Sequence, residues 1–469
     1  MKIIILFFLF TIHYCYSQNP ESKRAWHWYF GNGAGIDFSS GTAVADTNGQ
    51  LYTNEGCATI SDLDGNLLFY SDGRTAWNRL HHVMPNGNGL LGGANGSSTQ
   101  EALIIPKPIS PNLYYLFTTD EAENYGANGM RYSVVDMNLD DGNGDVVNNQ
   151  KNILLFAPCT EKLAAVNHCN DTSVWVIGHE VNNNHFRAYL VTSNGIDTNA
   201  VESAIGFPNM NNALGQMNGP IKFSPDGKKL CSVTDTNAKR VELFDFDSYS
   251  GTISNRITLS TSTNFNYAVC FSPDNSKLYI GNSCCLLYQY DVGSNDSLTI
   301  LNSKSLISNL IDHGYRYLSN CSNGKLYVHH TVALDSFISV IDLPNSSGVS
   351  CNLNLFSVNL ILHSTQAGLP NFNESYFRLS NSLSCITGIS QVVNNSIQIF
   401  PNPAREWIEI RGSKIKEISI YDVLGNLCYK AADAFTSPMR INVSDFTNGI
   451  YVLQLQSAKQ NINQKFVKQ

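Results

Sequence analysis

Charge is scarce in this chain. Asp, Glu, Lys and Arg together make up 14% of its 469 residues, and no run of Lys or Arg concentrates the positive part. With a formal net charge of −8 the surface would repel a phosphate backbone, so nucleic acid is excluded as a partner. No segment of the mature chain approaches the ~18 uninterrupted apolar residues of a membrane span. The spacings that mark common chemistries are also missing. Twelve cysteines include no C-x-x-C pair, the spacing typical of zinc ligands. There is no G-x-S-x-G, hence no nucleophile elbow. Gly31-Asn32-Gly33-Ala34-Gly35 lacks the Lys and Ser/Thr of a phosphate loop, and His179-Glu180 meets its next histidine, His185, too late for the H-E-x-x-H zinc pattern.

What is abundant points to strands. Aromatics reach 11%, and Gly, Asn, Ser and Thr are plentiful, a mix that favours short strands joined by polar turns, so the expected class is all-β. The length exceeds what one core usually serves, so two domains or one large repeat architecture are expected.

The opening residues read as an address. Met1-Lys2, the apolar residues 3–9, and Cys15-Tyr16-Ser17 before Gln18 have the three regions of a secretory signal peptide over residues 1–17, with cleavage between Ser17 and Gln18. Tyr14, not a small residue, precedes Cys15, which argues against a lipid anchor. Eleven cysteines then remain, scattered without the spacing of a disulfide framework. One or two bridges among otherwise isolated small hydrophobes are expected.

The clearest internal signal is a repeat. Phe223-Ser224-Pro225-Asp226-Gly227 returns as Phe271-Ser272-Pro273-Asp274-Asn275 and, more loosely, as Ser322-Asn323-Gly324, with Leu230, Leu278 and Leu326 each 48 residues apart. A fixed period near ~45 with strand, turn and strand reads as a four-stranded propeller blade. In the turn, proline presets φ, Asp bonds its own backbone, and Gly or Asn takes the left-handed position. Looser copies lie at Asp64-Gly65, Pro111-Asn112 and Asp171-Thr172. Residues 18–379 thus predict a seven-bladed β-propeller, with residues 28–38 completing a ring together with strands near its end. Trp28-Tyr29-Phe30-Gly31, the Phe-Ser-Pro-Asp units, Trp175 and Gly368-Leu369-Pro370-Asn371-Phe372 belong to a stretch, residues 26–372, that resembles exported bacterial propellers of the WD-repeat and surface-layer kind. The resemblance assigns no catalytic residue.

Residues 380–395 are rich in Ser and Asn and read as a linker. Beyond them, period-two alternation at Trp407-Ile408-Glu409-Ile410, Ile418-Ser419-Ile420-Tyr421 and Ile450-Tyr451-Val452-Leu453 predicts a small Ig-like β-sandwich over residues 396–469. Pro401-Asn402-Pro403, Tyr421-Asp422 to Gly425, Asn448-Gly449 with Tyr451, and Lys465-Phe466-Val467-Lys468 resemble, in order, the type A C-terminal sorting domain of type IX secretion. That resemblance implies passage through the type IX machinery, via the periplasm, to the medium or the outer-membrane surface. The tail carries nine Lys or Arg against six Asp or Glu from Ser396 onward, which leaves residues 1–395 at −11.

For chemistry, Asp141, Asn143 and Asp145 offer alternating oxygen ligands, so calcium is the one ion the sequence suggests; no other cofactor is expected. The pairs His81-His82 and His329-His330 are expected at surface or turn positions, since adjacent strand residues face opposite ways. The function expected is a non-catalytic, exported binding or adhesion propeller with a glycan or protein ligand. An extracellular hydrolase or lyase acting at the channel, and a structural surface-layer component, are the alternatives.

Overall fold

The computed structural model describes residues 19–209, 216–234, 240–261, 266–311, 313–331, 336–361, 363–379, 385, 397–412, 415–423, 425–435, 438–457 and 461–469. The expected signal peptide with Ser17 and Gln18, and all of the expected linker except Cys385, lie outside the described residues. The protein is all-β; a single short α-helix, Ser297–Asn302, and a few 3₁₀ turns accompany the strands among the described residues. None of the described helices is long and apolar enough to cross a membrane. Internal contacts divide the chain into two units, Met1–Cys385 and Ile386–Gln469.

Among the described residues of the first unit, seven antiparallel sheets follow one another, over residues 27–46, 58–88, 102–156, 159–209, 221–261, 266–309 and 314–359. Each begins as a hairpin, and the turn units read from the sequence fall on these hairpins. Asp226, Asp274 and Asn323 lie ahead of the second strands Lys229–Thr234, Lys277–Asn282 and Leu326–Thr331, where Leu230, Leu278 and Leu326 are fully buried. Gly227, Asn275 and Gly324 take φ of 69°, 68° and 75°, while the Asp226 carboxylate accepts from Ser224 Oγ (2.7 Å) and Lys228 N (3.2 Å). Turns of neighbouring sheets also touch: Asp226 N donates to Asn275 Oδ1 at 2.9 Å.

Apolar faces join each sheet to the next. Leu103 of the third shares a core cluster with Leu163 of the fourth, Val166 with Phe223 of the fifth, Val233 with Val269 of the sixth, and Tyr279 with Leu318 of the seventh. Tyr327 of the seventh sheet packs on Trp28 of the first (ring centroids 5.5 Å apart), and one cluster runs on to Phe69 of the second. The last sheet thus packs back onto the first. All three strands of the first sheet come from residues 27–46, and the later chain adds only a bridge between Ser364 and Asn32, where a shared strand had been expected. That bridge explains Gly31, whose φ is 58° and whose Cβ, if present, would stand 2.1 Å from Ser364 O.

The chain then runs along the line where the first strands meet. Ala367 N donates to Asn54 O (2.7 Å), Asn371 N to Cys57 O (2.8 Å), Asn371 Nδ2 to Leu163 O (2.8 Å) and Asn167 N to Ser375 Oγ (2.9 Å). Glu374 meets Lys222 of the fifth sheet at 2.6 Å, with Tyr317 of the seventh 5.3 Å from the ammonium. One segment is therefore held by the loop ahead of the second sheet and by the fourth and fifth sheets. It ends where Arg378 pairs with both oxygens of Asp171 (2.6 and 2.5 Å) and Cys385 forms a disulfide with Cys169.

The second unit has two antiparallel sheets, one of three strands (Ile397–Phe400, Trp407–Gly412, Met439–Asn442) and one of four (Ile415–Tyr421, Leu427–Phe435, Gly449–Ser457, Asn461–Lys468). Both contribute to one core, Ile408, Ile410 and Ile441 from the first and Ile418, Ile420, Leu453 and Phe466 from the second.

Candidate functional site

The starts of the first strands in the first unit converge on one polar network. Thr99, ahead of the third sheet, donates its backbone N–H to Glu161 Oε2 (3.0 Å), and Ala122 N donates to Glu161 Oε1 (2.8 Å). Thr99 Oγ1 lies 2.6 Å from Glu161 Oε2 and 2.8 Å from Tyr267 Oη, and accepts from Gly219 N at 3.2 Å. Tyr267 Oη bonds Glu55, and the Arg316 guanidinium lies over the Tyr267 ring at 5.1 Å. Groups belonging to the second through seventh sheets thus share one web.

Counting protons along Glu161–Thr99–Tyr267–Glu55 is decisive. Three contacts link four oxygen-bearing groups and each needs one hydrogen, yet the two hydroxyls supply two. A proton kept on one of the two carboxyl groups would supply the third. Their acidities agree. Burial pushes Glu55 up to about 7 and Glu161 up to about 8, with the Glu55 charge the next contribution to the latter. Glu101, fully buried, accepts no hydrogen bond and has Arg74 Nε 3.8 Å from Oε1; it is likewise pushed well up by burial and then by the Asp72 charge.

Beside this web, three loops present a partly exposed polar edge. Asn54 Nδ2 donates to Asn95 O (3.1 Å), Asn95 Nδ2 to Glu121 Oε1 (2.8 Å) and Ser97 Oγ to Glu123 Oε2 (2.9 Å); Tyr52 and Tyr125 flank the series at 59% and 56% exposure. No motif signals these residues, because the rim comes from three separate loops and the web from still more distant segments. Only the fold brings Glu55 and Glu161 together.

The residues singled out from the sequence are placed as follows. Asp145 is buried and its carboxylate accepts from Asn86 N (2.8 Å), Asn86 Nδ2 (2.6 Å) and Val146 N (2.8 Å), whereas Asp141 stands exposed in a turn at φ 52° and Asn143 caps that turn. His329 and His330 depart from the surface positions expected of them. Both are buried within the strand Leu326–Thr331, and burial pushes them down to about 3 and about 4. His179 is buried as well, with Nδ1 against Glu180 O at 2.6 Å. Among the described residues, the one group of His, Cys and acid atoms close enough to share an ion is His168, Cys169 and Cys385, whose sulfurs are joined in the disulfide.

In the second unit the tail motifs come together around the terminal strand. Asn402, between Pro401 and Pro403, accepts from Val467 N (2.9 Å) and donates to Lys465 O (3.4 Å), and Gly449 pairs with Lys468. Tyr451 packs its ring 5.5 Å from Phe466 and donates to Thr447 O (2.8 Å), next to Asn448. Asp422 accepts from Asn426 N (2.9 Å) across a turn with Gly425 at φ 84°, following Tyr421. Residues 398–469 match the family model described as a secretion system C-terminal sorting domain. The chain carries a type IX sorting domain. It is accordingly an exported protein, secreted or held at the outer-membrane cell surface, and its tail engages the type IX machinery. No curated protein matches the chain. Solved structures similar to it include a Bacteroides uniformis chain described as a "putative 6-phosphogluconolactonase" (13% identity, 83% of this chain and 100% of that one, TM-score 0.38). Another is Hsv2 of Kluyveromyces lactis (8% identity, 69% and 91%, TM-score 0.37). Neither likeness bears on what this chain does.

Proposed function

We propose that the first unit is a seven-bladed β-propeller that recognises an extracellular glycan or protein, without catalysis, through the rim where its first strands begin. The second unit, an Ig-like sandwich, serves delivery. The observation that carries this reading is how the buried carboxylates at that face are used. Glu161 accepts from backbone N–H groups with both oxygens, and Glu55 is tied to Tyr267, so these acids brace neighbouring blades while Tyr52, Asn54, Asn95 and Tyr125 face solvent. Open tyrosine rings and amides suit sugar faces and peptide backbones alike. A second reading, a hydrolase or lyase, draws on one fact: half-buried Glu55, with acidity near neutrality, stands beside a tyrosine and an arginine.

A glycan and matrix-protein binding screen of the full chain, with reaction products followed in parallel, tests both. Stable binding that falls at least tenfold in Tyr52→Ala/Tyr125→Ala supports recognition. Product release abolished by Glu55→Gln would transfer the function to catalysis. Self-association in gel filtration without ligand would favour a surface-layer component.

A further inference from the structure

The opposite end of the first unit, where the first strands finish, holds a cleft of about 550 Å³. Its rim is aliphatic. Leu63 is 48% exposed and Ile109 85% exposed, with Pro108 between the latter and Lys107. Ile109 sits at φ 63°, a conformation that β-branched residues avoid because Cβ meets the carbonyl, and it is held there by a turn in which Ser110 N donates to Lys107 O at 3.1 Å. The backbone thus bears strain to present an apolar side chain to water. Nothing in the core calls for it.

The floor is polar and not fully paired. Arg378 gives both terminal nitrogens to Asp171, and its Nε–H, buried, meets no partner. The Tyr376 hydroxyl, on a side chain 2% exposed, is also unpartnered. Lys107 forms no ion pair among the described residues. What is left over is positive and donating, beneath an aliphatic rim. A sugar would call for an open aromatic ring to lie against, yet the tyrosines here, Tyr114 and Tyr376, are 3% and 2% exposed. An acidic peptide fits both halves.

We propose that this cleft is a second recognition site, which takes an extended segment of a partner protein with an aliphatic side chain between Leu63 and Ile109 and a neighbouring carboxylate directed to Lys107 and Arg378. Shape and charge are then read together, the aliphatic rim supplying burial and the floor supplying charge-assisted donors.

The test uses the full chain and a set of acetylated, amidated hexapeptides carrying Leu or Ile beside Asp or Glu, with matched peptides in which Lys replaces the acid, read by fluorescence polarisation. Acidic peptides are expected to bind at least tenfold more tightly than their Lys counterparts. Ile109→Gly, which relieves the strained φ, should weaken them at least tenfold without lowering the melting temperature. Lys107→Glu should reverse the charge preference. Equal binding by wild type and Ile109→Gly, no preference for acidic peptides, or no peptide binding at all overturns the proposal. So does a neutral oligosaccharide, cellohexaose as the probe, that binds the wild type and is lost in Ile109→Gly.

Discussion

The two units use the same antiparallel strands and are held together by different means. In the second, Ile408, Ile410, Ile418, Ile420, Leu453 and Phe466 fill the core, while Lys430 with Glu417 at 2.8 Å lies on the surface and Arg411 and Arg440 cover Glu409, 6% exposed, at 2.8 and 2.9 Å. In the first, apolar layers join sheet to sheet, but the line where the first strands meet is polar. It contains the Lys222–Glu374 pair, with side chains 1% and 2% exposed, and the Glu161–Thr99–Tyr267–Glu55 chain, and the segment running along it ends in a disulfide. Where the first strands of several sheets begin close together, many backbone ends meet, and their polar groups need partners that an apolar filling cannot supply. The first unit should therefore respond to reduction and to pH near neutrality, and the second should not.

The largest effect is expected at the buried pair. Lys222→Ala leaves Glu374 uncompensated and should cost the first unit about 3–5 kcal/mol, seen in calorimetry as a lowered first-unit transition beside an unmoved second one. Equal shifts of both transitions would erase the comparison. The disulfide comes next. It closes a loop of 216 residues at the end of the axial segment, so Cys385→Ser or reduction should destabilise the first unit by about 2–5 kcal/mol and spare the second. A small effect is expected in the tail, where Tyr451→Phe removes one hydrogen bond to Thr447 O and should cost about 0.5–1.5 kcal/mol in the second transition only.

Legibility in the sequence followed the range of the interactions. Turn chemistry is local, so Pro225-Asp226-Gly227 and its relatives located a hairpin in six of the seven sheets. The tail motifs were legible for the same reason, although the way Asn402 secures Val467, 65 residues on, was not. The axial segment was out of reach. Gly368 to Phe372 were noticed as a motif, but nothing local says that Asn371 and Glu374 will meet partners 208 and 152 residues away. The buried histidines were misplaced because strand alternation places one of an adjacent pair on each face but does not say that both faces are covered, as they are at His329-His330, where Tyr315 and Phe356 of the same sheet lie against the His330 ring. Glu55 and Glu161 were two among 38 acidic residues until the fold paired them.

The central claim, that the first unit holds a buried polar web whose glutamates are pushed toward their neutral form, is tested most directly by its stability between pH 6.5 and 8. A carboxyl whose folded acidity lies above its unfolded value favours the folded state while it is protonated, and that stability is lost as pH rises through the folded value; Glu55 at about 7 and Glu161 at about 8 set the window. The buried histidines, held down to about 3 or 4, act below pH 6.5, outside it. Calorimetry of the full chain should show the first transition weakening by about 1–2 kcal/mol across this range, with the second unmoved and Glu161→Gln much flatter than wild type. A first transition that holds or strengthens as pH rises, or one whose slope survives in Glu161→Gln, contradicts the account.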